Sequence, residues 1–175
     1  MNKFLLLLLI PLLLLTSYKV NLSSGDKIKW LKFEDVAVKM KASKKLVIID
    51  VYTDWCHWCK VMDKETYQNN HVADYINENF YAVSFNAETH DAINWRNKVY
   101  NYNDQYRVNT LTLALTSGQL SFPTTIIIPD ENSAPIAIAG MLKPKELEII
   151  VKYFGSGSDK KLSFPEFQKT FHASW

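Results

Sequence analysis

The sequence predicts a single α/β domain, and three observations lead to this fold class. Apolar stretches with strand alternation and apolar stretches with helical periodicity follow one another along the chain, which is typical of an α/β fold with a parallel core. The length of 175 residues and the 47% hydrophobic content fit one globular domain with a short appendage. There are only two cysteines, Cys56 and Cys59, which excludes a disulfide framework and a four-cysteine zinc site.

The first helix is predicted by Phe33, Val36, Ala37 and Met40, which recur at helical spacing. The continuous apolar and β-branched run 46–52 predicts a strand buried on both faces. A helix is expected after the cysteine pair, then a short helix or its continuation over 72–79, and another strand over 80–85.

The second half of the chain is less regular. The stretch 110–116 alternates like a strand, yet the following Ser and Gly equally suit the end of a helix, so both alternatives stay open. The runs 124–128 and 135–139 predict a β-hairpin, and Leu147, Ile150, Val151 and Phe154 predict a helix that ends at Gly155.

A C-terminal extension, residues 156–175, is predicted to follow a flexible Gly-Ser joint at 155–158. Ser163 and Glu166 form a capping-box pattern, and Phe164, Phe167 and Phe171 share one helical face. We expect this short helix to dock on the domain, because a free helix of this kind would expose an apolar patch.

The amino terminus has the layout of an export signal. Lys3 precedes the apolar run Phe4–Leu15, which Pro11 interrupts and which is too short to span a hydrocarbon core of about 30 Å. We assign residues 1–17 to a signal peptide whose end extends at most to about residue 24, with an uncleaved anchor as the alternative. Export, most often to the periplasm, implies an oxidising compartment in which paired cysteines form a disulfide unless something reduces it.

Charge gives little guidance about partners. The formal net charge is +2, and removal of Lys3 with the signal leaves it near +1. We therefore expect no nucleic-acid partner and no membrane span in the mature form.

The cysteine pair lies where the buried strand 46–52 passes into a helix. If Cys56 opens that helix, free backbone N–H groups and the helix dipole favour its thiolate, and Cys59 returns to the same face one turn later. We expect one sulfur to be exposed to attack while the other resolves the mixed disulfide. A structural disulfide and half of a metal site with His57 are the alternatives. Haem attachment is excluded because Lys60 stands where the histidine is required.

Two segments resemble the thioredoxin superfamily. They are V-I-I-D-V-Y-T-D-W-C-H-W-C-K at 47–60, similar to the active-site strand and helix, and F-P-T-T at 122–125, similar to the cis-proline segment. The resemblance covers roughly residues 33–155. The run from Cys56 to Phe80 is most similar to exported, single-domain bacterial members, and Lys60 departs from a related group with C-H-W-C-H.

The resemblance implies a thioredoxin fold, with a central mixed sheet flanked by helices, over residues 25–155. Residues 88–121 would be an insertion before the cis-proline strand. This insertion is expected either to form a recognition element or to complete the core, and the second is favoured because Leu111, Leu113 and Leu115 need burial.

The resemblance also assigns catalytic roles. Cys56 would attack, Cys59 would resolve, and Asp50 would be the buried carboxyl that deprotonates Cys59, with a raised pKa. The alternative for Asp50 is a solvated residue at a strand end. Pro123 in cis would present the Phe122 backbone to an extended substrate, and an ordinary trans proline is the alternative.

The neighbouring residues are expected to adjust this chemistry. His57 and Trp58 occupy the two positions that tune the redox potential, although His57 pointing to solvent is equally expected. Trp55 and Trp58 would form an apolar rim for substrate, unless they pack in the domain. Lys60 is expected to be a solvated helix residue.

The function implied is a thiol-disulfide oxidoreductase that exchanges disulfides with protein substrates and with a redox partner protein, with no cofactor and no metal. We expect a monomer. Resemblance to exported thioredoxin-like proteins, including the periplasmic domain of the membrane thiol:disulfide interchange reductase, favours a reductase over an oxidase or isomerase. The competing function is a non-catalytic peptide-binding module with a permanent Cys56–Cys59 bridge.

Overall fold

The structure is a computed structural model that describes residues 27–43 and 45–175. The predicted signal peptide, residues 1–17, lies outside this range. The described chain forms a mixed four-stranded sheet with helices on both faces, as the sequence predicts. None of the helices in these two ranges has the length and apolar character needed to cross a membrane.

The elements up to residue 86 follow the alternating order that the sequence predicts, whereas the four short strands between residues 93 and 109 were not predicted. In chain order they are α1 (Phe33–Ala42), β1 (Leu46–Tyr52), α2 (His57–Met62), a π-helical turn (Asp63–Tyr67), α3 (Asn70–Asn79), β2 (Phe80–Asn86), β3 (Ile93–Trp95), β4 (Lys98–Tyr100), β5 (Tyr102–Asn103), β6 (Val108–Asn109), α4 (Thr110–Thr116), β7 (Thr124–Ile128), β8 (Ile136–Ala139), α5 (Pro144–Gly155), a 3-10 turn (Ser158–Lys160) and α6 (Phe164–Thr170).

The main sheet has the strand order β2-β1-β7-β8. Strand β1 pairs with β2 in parallel and with β7 antiparallel, and β7 pairs antiparallel with β8. Because β1 is central and covered on both faces, its apolar side chains alternate between two core clusters, with Ile49 in one and Ile48 in the other. The same register places Asp50 opposite Ser84 on β2 and Thr125 on β7.

The insertion completes the core. Strands β3 and β4 form one hairpin and β5 and β6 another, after which α4 returns the chain to the sheet. Asn109 caps α4 by accepting the Leu111 N–H at 3.0 Å, which resolves the sequence ambiguity in favour of a helix. Leu111 and Leu115 are buried, and Trp95 packs against Phe33 with ring centroids 5.3 Å apart.

The predicted joint after α5 forms a hydrogen-bonded turn. The Ser156 N–H donates to the Lys152 carbonyl at 3.1 Å, and the Gly157 N–H donates to the Phe154 carbonyl at 2.9 Å, so the chain turns sharply. Gly157 supplies the left-handed conformation that this turn requires, with φ of 71°. Gly157 therefore allows the chain to form this turn.

The C-terminal helix docks as predicted. Ser163 and Glu166 form the capping box, and Phe164 and Phe167 pack against Tyr153 with ring centroids 5.3 Å away in both cases. This extension therefore covers its own apolar face.

A buried carboxylate fixes the last residues of the chain. Glu148 on α5 is fully buried and accepts hydrogen bonds from the Ser174 N–H at 2.8 Å and from Lys152 Nζ at 2.7 Å. The Trp175 N–H also reaches it, at 3.3 Å, while the indole packs edge-on against Tyr75. These contacts tie the chain terminus to α5.

Candidate active site

The two cysteines lie at the carboxyl end of β1, where the chain turns into α2. Cys56 is the N-cap of α2, its N–H donates to the Thr53 carbonyl at 3.2 Å, and its sulfur accepts the Cys59 N–H at 3.1 Å. Thus an amide of the first helical turn, which has no partner within the helix, donates to the Cys56 sulfur, as the sequence predicts. Such an amide favours the thiolate over the thiol.

Cys56 and Cys59 are joined by a disulfide, and their Cα atoms are 5.3 Å apart. The expectation that one sulfur is exposed is wrong for this oxidised state, because Cys56 is only 4% exposed and Cys59 only 6%. In this state the Cys56 sulfur caps α2 by accepting the Cys59 N–H.

Asp50 lies on β1 and is buried, with only 7% of its surface exposed. Burial, with a further contribution from the nearby Asp63 carboxylate, raises its pKa from 3.8 to about 7, against an opposing hydrogen bond from Tyr67. One oxygen of Asp50, Oδ1, has no hydrogen-bond partner among the described residues. The carboxyl is therefore suited to exchange a proton near neutral pH.

A cavity of about 320 Å³ connects Asp50 with the cysteine pair. Its lining residues come from β1, β2, α2 and the turns between them: Asp50, Tyr52, Thr53, Asp54, Cys59, Lys60, Asp63 and Ser84. Cys59, and not Cys56, is the cysteine that shares the cavity with Asp50. Cys59 and Asp50 thus line one and the same cavity.

The segment before β7 faces the same site. The peptide bond between Phe122 and Pro123 is cis, and Pro123 is buried, with its carbonyl accepting the Gly140 N–H at 2.8 Å. The Phe122 ring meets the Trp55 ring edge-on, with centroids 6.0 Å apart. The two predicted substrate-binding segments are therefore neighbours in the structure.

The tryptophans beside the cysteines form an exposed rim. Trp55 is 67% exposed and Trp58 59% exposed, so neither packs in the core. The Trp55 indole N–H donates to Glu88 Oε1 at 3.0 Å, and the exposed His57 packs edge-on against Trp58 at 5.5 Å. Lys60 is exposed at the mouth of the cavity, as expected for a solvated residue.

A family model described as "Protein of unknown function, DUF255" (Thioredox_DsbH) matches residues 14–148. The chain belongs to this family. It is a member of the thioredoxin superfamily, in agreement with the fold and the paired cysteines.

Solved structures show the same fold. The chain is similar to a thioredoxin-fold protein from Helicobacter pylori, with a TM-score of 0.56, 17% identity and coverage of 72% of this chain and 79% of that chain. It is also similar to a protein named DsbH Oxidoreductase, with a TM-score of 0.55 and 16% identity over 75% of this chain and 87% of that chain. A Thermus thermophilus thioredoxin gives a TM-score of 0.51 at 13% identity, over 85% of this chain and all of that chain.

Curated relatives match shorter stretches. The Caenorhabditis elegans "Uncharacterized protein B0495.5" is 32% identical over 66 residues, which are 37% of this chain and 9% of that protein. The "Spermatogenesis-associated protein 20" of Rattus norvegicus is 36% identical over 50 residues, which are 29% of this chain and 6% of that protein. The chain therefore spans less than a tenth of the length of these relatives.

In this thioredoxin-like protein, sequence reasoning located the residues near the cysteines and missed three further ones. Tyr67 and Thr125 lie beside Asp50, and Glu88 holds the Trp55 indole. Thr125 belongs to the F-P-T-T segment at 122–125, and this segment was the sequence signal that could have identified it. In the structure Thr125 pairs with Asp50 of β1. No group of three or more His, Cys, Asp or Glu side chains suited to a metal ion occurs within residues 27–43 and 45–175.

Proposed function

We propose that this protein is a thiol-disulfide oxidoreductase that exchanges disulfides with protein substrates through Cys56 and Cys59. One observation carries the proposal: the disulfide closes over the first turn of α2, while Cys59 shares a cavity with a buried carboxyl whose pKa lies near 7. A permanent bridge has no need of such a proton acceptor. The similarity of the fold to that of the protein named DsbH Oxidoreductase gives independent support.

In the reductive direction, the reduced pair attacks a substrate disulfide. The Cys56 thiolate forms a bond to one substrate sulfur, and the other substrate sulfur leaves as a thiolate. Asp50 then takes the Cys59 thiol proton through the shared cavity, and the Cys59 thiolate attacks the Cys56 sulfur. The bond between Cys56 and the substrate breaks, and the substrate receives two electrons and leaves as a dithiol once protonated.

The cycle closes when a redox partner protein with a dithiol reduces the Cys56–Cys59 disulfide by the same steps in reverse. No bound cofactor takes part, since the electrons stay on sulfur throughout. Because the two cysteines of the oxidised pair are only slightly exposed, the partner thiolate approaches along the rim formed by Trp55, Trp58 and Phe122.

The rim also defines how a substrate is held. The two exposed tryptophans offer apolar surface to side chains next to a substrate cysteine. The Phe122 backbone, before the cis bond to Pro123, provides a short edge on which an extended segment pairs. His57 and Trp58, between the cysteines, are the residues expected to set the redox potential.

We place the protein in the periplasm as a monomeric reductase. The export pattern at the amino terminus supports this location, and resemblance to exported thioredoxin-like proteins supports the direction. Cell fractionation of the full chain and the measured reduction potential test the two parts separately.

The decisive experiment is thiol counting by alkylation and mass spectrometry across a glutathione redox series. An oxidoreductase pair exchanges reversibly, whereas structural disulfides stay closed until potentials below about −300 mV. Cys59→Ala should trap mixed disulfides with partner proteins, and Cys56→Ala, as the matched control, should trap far fewer. A bridge that resists the whole series, together with no trapping, would favour the peptide-binding module.

A further inference from the structure

A buried tyrosine lies beneath the cysteine pair. Tyr67 ends the π-helical turn after α2, is 3% exposed, and places its hydroxyl 3.3 Å from Thr125 Oγ1. Thr125 is fully buried on β7, directly opposite Asp50 of β1 in the antiparallel register. Three elements thus bring Tyr67, Thr125 and Asp50 to one point in the core.

Hydrogen bonds link these residues. The Tyr67 hydroxyl and Thr125 Oγ1 are 3.3 Å apart, where either oxygen can donate, and a hydrogen bond from Tyr67 lowers the pKa of Asp50. The remaining oxygen, Asp50 Oδ1, is buried without a partner in the described part of the chain. Asp50 and Cys59 both line the cavity between them.

We propose that Tyr67 is a positioning residue for Asp50: its hydroxyl holds one carboxylate oxygen so that Oδ1 stays free to accept the Cys59 proton. This deepens the proposed function and rests on it. A donor to one oxygen stabilises the ionised carboxylate, which is the form that accepts a proton. Without Tyr67, the same buried carboxyl would be ionised only at higher pH.

Other charged and titratable groups face Asp50 from each neighbouring element. Asp63, from the π-helical turn, opposes ionisation of Asp50, while Lys60 comes from α2. Tyr52 shares β1, and Asp54 follows it at the cavity wall. The neighbouring strands contribute the uncharged Ser84 of β2 and Thr125 of β7.

The Tyr67→Phe substitution keeps the buried ring and removes only the hydroxyl. Loss of a hydrogen bond to a charged group should raise the titration midpoint of Asp50 by about one pH unit. A rise of that size from a pKa of about 7 lowers the ionised fraction at pH 7 about five-fold. The Cys59-dependent resolution step should therefore slow about five-fold at pH 7 and stay nearly unchanged above about pH 9.

The test is a carbon-13 NMR titration of aspartate carboxyls in the oxidised full chain, with Asp50→Asn used to assign the Asp50 resonance. Thr125→Val is a second variant and should raise the midpoint by less than Tyr67→Phe does. Tyr81→Phe is the matched control, because the Tyr81 hydroxyl is bonded to Ser43 Oγ at 2.6 Å and should leave the midpoint unchanged. The pH profile of disulfide exchange is then measured for each protein.

A raised midpoint in Tyr67→Phe, with a parallel shift of the exchange profile, supports the inference. An unchanged Asp50 midpoint in an active Tyr67→Phe protein overturns the inference and leaves the proposed function intact. A wild-type protein that titrates near pH 7 but exchanges no disulfides overturns the proposed function instead. A loss of rate that is equal at all pH values assigns Tyr67 a packing role only and overturns the inference.

Discussion

Replacement of Asp50 by asparagine should change how stability depends on pH. Burial and the nearby Asp63 raise the pKa of Asp50 from 3.8 to about 7. An acid whose folded pKa exceeds its unfolded value binds more protons in the folded state, so stability falls as the pH rises through that interval. The stability that protonated Asp50 contributes is complete below about pH 4 and lost by about pH 7.

The magnitude follows from the width of the interval. A full pH unit between the two pKa values costs about 1.4 kcal/mol and the effect halves at the upper pKa, so wild type should lose about 2 kcal/mol through this group between pH 5 and pH 7. Asp50→Asn is uncharged throughout, and any packing cost of the amide is the same at both pH values. The variant should therefore gain about 2 kcal/mol relative to wild type over this range.

The assay is urea unfolding of the oxidised full chain, followed by tryptophan fluorescence at pH 5, 6, 7 and 8. Asp74→Asn, which changes an exposed carboxylate on α3, is the matched control and should give a curve parallel to wild type. If the free-energy gap between Asp50→Asn and wild type were the same from pH 5 to pH 8, Asp50 would not titrate there. Its assignment as a proton acceptor near neutrality would then be wrong.

Three further changes test other parts of the molecule. Although burial alone raises the pKa of Glu148, the hydrogen bonds from Lys152 and the chain terminus outweigh it and lower the pKa. Glu148→Gln should therefore lower the free energy of unfolding by about 2 kcal/mol at pH 7, and by progressively less below about pH 4.5, as measured by urea unfolding. A difference from wild type that does not shrink as the pH falls would contradict this. Leu111→Ala leaves a cavity at a fully buried site of the insertion and should lower the free energy of unfolding by about 3 kcal/mol. Leu113 is only half-buried, so Leu113→Ala should lower it by about 1 kcal/mol. Equal losses would show that α4 is not part of the core. Trp55→Ala removes the more exposed of the two rim tryptophans. It should slow the reduction of protein disulfides several-fold and leave the rate of exchange with glutathione nearly unchanged. An equal loss of rate with both substrates would refute a binding role for Trp55.

Local patterns made most of the site predictable from the sequence. Cys56 and Cys59 lie three residues apart where a strand passes into a helix, so their spacing predicts that they meet, whereas the role of Asp50 is implied by the family resemblance. The contact of Phe122 with Trp55 could be expected only through the family resemblance, because the two residues are far apart in the chain. Pattern and resemblance together were thus sufficient for the central residues.

The remaining features depend on tertiary structure. Tyr67 lies at the end of the π-helical turn, and its hydroxyl contacts Thr125 of β7, next to Asp50. A sequence pattern does not predict such a turn. The burial of Cys56 and its contact with the Cys59 amide depend on the fold around the pair, whereas the sequence shows only where Cys56 lies in the chain. The alternation in 110–116 suited a strand until the Asn109 cap and the packing of Leu111 decided for a helix.

Both ends of the insertion touch the same tryptophan. Glu88, at its beginning, accepts the Trp55 indole N–H, and Phe122, immediately after its end, packs against the Trp55 ring. Changes within the insertion can therefore shift the rim while the cysteines and Asp50 stay on β1 and α2. Under the proposed function, substitutions in the insertion would change how the rim meets a partner without altering Asp50, Cys56 or Cys59, whereas Trp55 and Trp58 lie in the same stretch of the chain as the cysteines.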